Sequence, residues 1–117
     1  MSKKILVFDD DQSILQSIRY LLEDEGYTIL PAELYGEFEQ HLQSNPDLIL
    51  LDYWLPQRDC ASIIKKLKSQ NETKHIPVIV ISASSNLEKL TKDSGADRVI
   101  QKPFDIEELK KTIKEVL

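Results

Sequence analysis

Two adjacent acids, Asp9 and Asp10, directly follow a short apolar run near the start of this 117-residue chain. A third acid, Asp52, follows another apolar run, and Ser82 and Lys102 stand at the ends of two more. Carboxylates that converge repel one another when ionised, and the pKa of at least one of them rises unless a hard divalent cation lies among them. Magnesium fits best, because it accepts one or two carboxylates, a backbone carbonyl and several waters. The residue types therefore predict a cation site with a hydroxyl and an ammonium group beside it.

Alternating strands and helices are expected to bring these residues together. The apolar runs that predict strands are Ile5 to Phe8, Thr28 to Ala32, Leu48 to Leu51, Ile76 to Ile81 and Arg98 to Ile100. Helical periodicity fills the intervals, and Gly26 and Gly95 stand where left-handed residues would end the first and fourth helices. This alternation predicts a parallel sheet between two layers of helices, the three-layer α/β class. Its natural site is the crevice at the carboxyl ends of the strands.

Each of these polar residues also has an ordinary structural explanation. Aspartate is common at helix N-caps, so Asp10 or Asp11 is also explained as the cap of the first helix. Lys102 alone would be a solvated charge, and Ser82 a turn residue. A nucleotide site would need glycines in the first turn, yet that turn reads Asp-Asp-Asp-Gln and the chain has only three glycines. The combination at four of five strand ends favours a cation site over capping alone.

Composition indicates one globular domain over residues 1–117. The chain is 41% hydrophobic and 30% charged, which argues against a disordered, fibrous or membrane chain. A net charge of −5 argues against nucleic-acid binding. The single cysteine, Cys60, can form no intramolecular disulfide, which favours a reducing compartment. The apolar run after Met1-Ser-Lys-Lys is too short for a signal peptide or a membrane span. We therefore expect a cytoplasmic domain with no membrane or nucleic-acid contact.

Four stretches, in order and each at a predicted strand, carry a family resemblance. They are Lys4-Ile-Leu-Val-Phe-Asp-Asp-Asp, Pro46-Asp-Leu-Ile-Leu-Leu-Asp52 with Leu55-Pro56, Ile76-Pro-Val-Ile-Val-Ile-Ser82-Ala83, and Gly95-Ala-Asp with Lys102-Pro103-Phe104. Together they resemble the receiver domain of response regulators in bacterial two-component signalling. The likeness spans essentially the whole chain. It implies a doubly wound, flavodoxin-like sheet of five parallel strands in the order 2-1-3-4-5, with helices on both faces.

The resemblance also implies a role for each candidate residue. Asp52 is implied to accept a phosphoryl group from a histidine kinase or a phosphotransfer protein, Ser82 to hydrogen-bond that group, and Lys102 to pair with it. The ligands implied for Mg²⁺ are Asp9, Asp10, Asp52 and the backbone carbonyl of Trp54. In-line attack by Asp52 builds charge on the phosphoryl oxygens, which Mg²⁺ and Lys102 would neutralise. The bond between Lys102 and Pro103 is implied to be cis.

The chain departs from the family pattern at three places. Val99 stands three residues before Lys102, where the family usually has a switch aromatic. The loop Gln57–Cys60 lacks the glycines of many relatives, so its turn geometry is left open. Only 13 residues lead from Ser82 to Gly95, so we expect a short fourth helix.

These features predict a phosphoacceptor signalling domain rather than an enzyme. It would switch the binding of a downstream protein, and a homodimer that forms on phosphorylation is left open. The alternative is a degenerate receiver that binds partners without phosphorylation, motivated by Val99 and the altered loop; intact Asp52, Ser82 and Lys102 count against it. A phosphatase of the aspartyl-phosphate type needs Asp-x-Asp with a second acid as proton donor. Trp54 occupies that position, which makes the phosphatase the weaker rival.

Overall fold

The chain alternates strictly between strands and helices. The computed structural model describes residues 2–55, 58–83 and 85–117. Its elements are β1 (Lys4–Phe8), α1 (Gln12–Asp24), β2 (Thr28–Ala32), α2 (Tyr35–Leu42), β3 (Leu48–Asp52), α3 (Cys60–Ser69), β4 (Val78–Ser82), α4 (Leu87–Ser94), β5 (Arg98–Gln101) and α5 (Ile106–Val116).

The five strands form one parallel sheet in the order β2-β1-β3-β4-β5. This is the doubly wound, flavodoxin-like order that the resemblance implied. The chain reverses its direction of travel across the sheet after β2, so β1 and β3 lie side by side at the switch in strand order. Phe8 pairs with Leu51 and Asp52 pairs with Ile81 in the observed register. The carboxyl ends of β1, β3 and β4 therefore lie next to one another, where a site is expected in this class of fold.

Helices cover both faces of the sheet, which explains the uninterrupted apolar runs. Ile5 and Val7 pack with the buried residues of α1 and α5, whereas Leu6 and Phe8 pack with those of α2 and α3. β3 and β4 are buried along their whole length. A strand covered on both faces has no solvent side for polar residues, so its sequence loses the alternation of a half-exposed strand. Within the described residues, no helix has the length and apolar character that crossing a membrane requires.

Several local features match the sequence pattern, and one strand boundary does not. Gly26 and Gly95 have φ values of +95° and +82°, in the left-handed region predicted for them. The fourth helix is short, as expected, at 8 residues. The predicted start of β4 at Ile76 is wrong, since the strand begins at Val78. Pro77 has no N–H to donate, and the N–H of Ile76 bonds to the Thr73 carbonyl in a preceding turn at 3.0 Å.

Asp97 joins three elements at the amino end of the sheet. Its Oδ2 accepts hydrogen bonds from the Val78 N–H at 2.7 Å and from Lys68 Nζ at 3.0 Å. Lys68 Nζ also donates to the Ile76 carbonyl at 3.0 Å, and the Asp97 N–H donates to the Val78 carbonyl at 2.9 Å. These bonds fix where β4 begins beside β5 and α3. By fixing the start of β4, these bonds also set the position of Ser82 at its opposite end.

Asp97→Ala is expected to lower the free energy of unfolding by about 1–3 kcal/mol, because it removes the acceptor of the partly buried Val78 N–H. Asp97→Asn keeps an acceptor for that N–H and loses only the charge attraction to Lys68, so its loss should be clearly smaller. Urea denaturation of both variants measures the two losses. Equal losses, or no loss in Asp97→Ala, would contradict this role.

Candidate functional site

The structure brings three acids together at the carboxyl edge of the sheet. Asp9 follows β1, Asp52 is the last residue of β3, and Asp10 is next to Asp9. One carboxylate oxygen from each lies within 4.8 Å of the others. Asp9 and Asp52 are 1% and 7% exposed, whereas Asp10 is exposed to solvent. Two negative charges are thus held where water stabilises them poorly, and a third lies beside them.

Capping explains a neighbour of the cluster but not the cluster itself. Asp11 is the N-cap of α1, and its Oδ1 accepts hydrogen bonds from the N–H groups of Ser13 at 2.9 Å and Ile14 at 3.2 Å. The explanation by helix capping therefore holds for Asp11, whereas the carboxylates of Asp9 and Asp10 converge on Asp52.

Asp9 has one satisfied oxygen and one unsatisfied oxygen. Its Oδ1 accepts a hydrogen bond from the Asp11 N–H at 2.9 Å. Its buried Oδ2 accepts none from the described residues and lies 3.7 Å from Lys102 Nζ. Burial raises the pKa of Asp9 from 3.8 to about 6; the Asp11 N–H lowers this pKa and the negative charge of Asp52 raises it. A buried oxygen with no hydrogen bond, among other carboxylates, fits a metal ligand.

Asp52 is held through one of its two oxygens. Its Oδ1 accepts hydrogen bonds from the Trp54 N–H at 3.3 Å and from Lys102 Nζ at 3.4 Å. Within the described residues, no hydrogen bond engages its Oδ2. Because Asp52 ends a fully buried strand, the backbone beneath it is fixed by β1 on one side and β4 on the other.

Lys102 lies between the two buried acids. Its Nζ is 3.7 Å from Asp9 Oδ2 and 3.4 Å from Asp52 Oδ1. Its backbone N–H donates to the Ser82 carbonyl at 2.7 Å, which extends the pairing of β4 and β5 by one residue. The bond from Lys102 to Pro103 is cis, as expected. One ammonium group compensates only one of the three carboxylates, so the cluster keeps a negative balance when all three are ionised.

Ser82 and Trp54 complete the set of predicted site residues. Ser82 ends β4 one residue beyond Ile81, the register partner of Asp52, and is fully buried. Trp54 is 71% exposed, and its ring packs edge-on against Tyr53 at 5.1 Å between centroids. The hydrogen bond from the Trp54 N–H to Asp52 places this peptide beside the cluster. The roles of the Ser82 hydroxyl and the Trp54 carbonyl stay predictions.

Besides the short fourth helix described above, two departures from the family pattern remain to be located. Val99 pairs with Val80 in the sheet and is half-buried against the core. Pro56 and Gln57, in the altered loop, lie outside the described residues. After them, Asp59 is the N-cap of α3 with an extended backbone, and its Oδ2 accepts a hydrogen bond from Ser62 Oγ at 3.1 Å.

Sequence reasoning missed Arg58, which lies near the cluster. Its guanidinium is 4.0 Å from the centroid of the Tyr35 ring, and it lines a cleft together with Asp10. No local pattern predicts this contact, because Tyr35 is the first residue of α2 whereas Arg58 lies in the loop between β3 and α3.

Comparisons with known proteins agree on one family. A family model described as the response regulator receiver domain matches residues 5–114. The phosphate regulon transcriptional regulatory protein PhoB of Escherichia coli is 37% identical over all of this chain and 52% of its own length. The alkaline phosphatase synthesis transcriptional regulatory protein PhoP of Bacillus subtilis is 35% identical over all of this chain and 49% of its own. The chain thus spans about half the length of these relatives.

Solved structures show the same likeness in three dimensions. The chemotaxis response regulator CheY4 of Vibrio cholerae superposes with a TM-score of 0.91 at 30% identity, and both chains are covered completely. A receiver domain from Clostridium thermocellum gives a TM-score of 0.85 at 29% identity, over 97% of this chain and 93% of its own.

Asp9→Asn is expected to raise the free energy of unfolding of the metal-free protein at neutral pH by on the order of 2 kcal/mol. A carboxyl group whose pKa rises from 3.8 to about 6 on folding binds its proton more tightly in the folded state. The wild type therefore loses this contribution to stability as the pH rises through that window. Asparagine carries no charge there, and it keeps an oxygen for the Asp11 N–H.

The gap between Asp9→Asn and wild type should be small at about pH 4 and reach its full size above about pH 7. Urea denaturation in the presence of a chelator measures it. Asp10→Asn is the matched control, because an exposed carboxylate loses less hydration on folding. A gap of the same size at both pH values would show that ionisation of Asp9 is not its source.

Proposed function

The chain belongs to the response regulator receiver domain family, and we propose that it acts as a phosphoacceptor switch with Asp52 as the acceptor. The donor is the phosphohistidine of a histidine kinase or a phosphotransfer protein. The phosphorylated form then binds a downstream protein. The observation that carries this proposal is the position of Asp52 at the carboxyl end of a central strand, with Lys102 Nζ 3.4 Å from its Oδ1 and with carboxylate oxygens of two further acids within 4.8 Å.

Among the three acids, Asp52 is best suited to attack phosphorus. Asp9 is the most buried, and burial raises its pKa to about 6, so a fraction of this carboxylate is protonated near neutral pH. Asp10 is exposed and has no contact that fixes its direction among the described residues. Asp52 is held through Oδ1 by the Trp54 N–H and by Lys102, which leaves Oδ2 for the reaction. Its attack breaks the P–N bond, and the electron pair leaves with the imidazole nitrogen.

The residues present fit a magnesium ion. The unsatisfied Oδ2 of Asp9, the exposed carboxylate of Asp10 and a carboxylate oxygen of Asp52 are hard oxygen ligands of the kind that Mg²⁺ takes, and the exposed side leaves room for its waters. We assign the Trp54 carbonyl as a further ligand. When bound, the ion supplies positive charge and orientation for the phosphoryl oxygens.

Lys102 and Ser82 act on the phosphoryl group from the protein side. Before transfer, Lys102 Nζ pairs with Asp9 and Asp52. When Asp52 becomes an acyl phosphate, its own negative charge moves onto the phosphoryl oxygens, and the Lys102 ammonium is placed to follow it. Ser82 ends the neighbouring strand, and its hydroxyl donates a hydrogen bond to the same phosphoryl group. The backbone bond between Lys102 and Ser82 couples these two positions.

The proposed domain acts in signalling rather than on an external substrate, with the cytoplasm as its compartment. Its partners are the kinase and a downstream protein, and nucleic acid and membrane contacts are not part of the proposal. The names of PhoB and PhoP refer to transcriptional regulation, but those proteins are about twice as long as this chain. One observation favours the degenerate-receiver alternative: Val99 is aliphatic and packed against the core, so an aromatic ring cannot signal from that position.

Asp52 is expected to be the only residue that gains a phosphoryl group when the protein is treated with acetyl phosphate and Mg²⁺. Intact mass measures the gain in wild type, in Asp52→Asn and in Asp93→Asn, an exposed acid on α4 that serves as the matched control. Wild type and Asp93→Asn should each gain one phosphoryl mass, and Asp52→Asn none. An equal gain in Asp52→Asn would refute the assignment, and no gain in wild type would favour the degenerate receiver.

A further inference from the structure

A small cleft opens beside Asp10 and has no part in the function proposed above. Its volume is about 120 Å³. Residues that line it include Phe8, Asp10, Glu33, Tyr35, Leu55 and Arg58. A cavity needs about 10–15 Å³ of such volume to hold one water, so the cleft has room for a group of several non-hydrogen atoms. One wall is apolar, and the polar wall carries two acids and one guanidinium.

Arg58 is supported by an aromatic ring rather than by a carboxylate. Its guanidinium carbon lies 4.0 Å from the centroid of the Tyr35 ring. That ring packs against Phe8 and Phe38, with centroid distances of 6.4 Å and 5.9 Å, so the ring on which Arg58 stacks is itself held by the core. A guanidinium that stacks through its flat face keeps the N–H donors at its edge for another partner.

The donors at that edge are not used by the acids nearby. In the described part of the chain, no carboxylate lies within 4.0 Å of the Arg58 nitrogens, although Asp10 and Glu33 line the same cleft. Lys102, by contrast, already pairs with two acids of the cluster. Arg58 is therefore a cation that shares a cleft with Asp10 of the cluster, and its planar hydrogen-bonding edge is not engaged by the acids of the described residues.

On the basis of the proposed phosphoacceptor function, we propose that Arg58 is a specificity-determining residue that binds the carboxyl end of a small acyl-phosphate donor. An acyl phosphate brings an anion toward three acids, so a cation in its path favours its approach. The planar edge of a guanidinium matches two oxygens of a carboxylate, the group that an acyl phosphate releases. The cleft has room for an acyl group of the size of acetyl.

The transfer step balances without a further reactant. An Asp52 oxygen forms a bond to phosphorus while the bond from phosphorus to the acyl oxygen breaks. The electron pair of the broken bond stays on that oxygen, and acetate leaves as an anion. Phosphoramidate is also attacked at its phosphorus, but it releases a different group. With its nitrogen already fully protonated, the P–N bond breaks, the pair goes to nitrogen, and neutral ammonia departs. Only the first donor offers Arg58 a carboxylate.

The test compares the two donors on the same variants. The rate of mass gain at Asp52 is measured with acetyl phosphate and with phosphoramidate, at fixed Mg²⁺ and ionic strength. Arg58→Ala is expected to slow the reaction with acetyl phosphate about tenfold, the scale of one charge-assisted hydrogen-bonding contact, and to change the phosphoramidate rate by less than about twofold. Arg58→Lys keeps the charge without the planar edge and should recover part of the loss. Arg19→Ala removes the same charge from α1, where Arg19 pairs with Glu23, and should react like wild type.

A loss restricted to acetyl phosphate supports the proposal. Equal slowing with both donors overturns it, since Arg58 would then act on the phosphoryl group or on the fold. Unchanged rates in Arg58→Ala overturn it as well, while phosphorylation of Asp52 in that variant leaves the phosphoacceptor function standing. If folded wild type gains no phosphoryl group from either donor, the phosphoacceptor function fails and this proposal fails with it.

Discussion

Mutual repulsion among Asp9, Asp10 and Asp52 is the constraint on which the rest of this site depends. Carboxylates within 4.8 Å of one another, two of them buried, repel one another when ionised, and a nearby cation relieves that repulsion. Lys102 is such a charge, and it lies between the two buried acids. The remaining imbalance is visible at Asp9, where burial raises the pKa to about 6 and one buried oxygen accepts no hydrogen bond from the residues that the structure describes. Charge repulsion therefore destabilises the metal-free site. A cation that binds there relieves this repulsion, and a phosphoryl group on Asp52 changes the balance of charges.

The sheet makes this unfavourable arrangement possible. β3 and β4 are buried on both faces, and their register with β1 and β5 is fixed by continuous parallel pairing. At the amino end, Asp97 fixes the start of β4. The charged groups lie at the opposite end, where the strands stop and pairing no longer constrains the chain. The apolar core thus stabilises the fold, whereas the destabilising charge repulsion is confined to a few side chains at one edge of the sheet.

Sequence alone predicts the elements and the convergence of the acids, because both follow from simple regularities. Uninterrupted apolar runs indicate strands covered on both faces, and parallel strands bring their carboxyl ends to one edge. The start of β4 was missed because the apolar run includes Ile76, whose N–H bonds within a turn, and Pro77, which has no N–H to donate. Whether Lys102 would lie between Asp9 and Asp52 depends on side-chain placement, which spacing does not determine. Arg58 was missed because its partner, Tyr35, is far from it in the sequence, at the start of α2. The metal role of the Trp54 carbonyl and the hydrogen bond of Ser82 rest on family resemblance.

The most direct test of the electrostatic account is the free energy of unfolding as a function of Mg²⁺ concentration at constant ionic strength. If one ion binds among the three acids of the folded state alone, stability should rise by about 1.4 kcal/mol for each tenfold increase in Mg²⁺ above the dissociation constant. Asp10→Ala, which removes an exposed carboxylate of the cluster, should lose that dependence within the same range. Wild-type stability that does not change with Mg²⁺, or the same dependence in Asp10→Ala, would contradict the account.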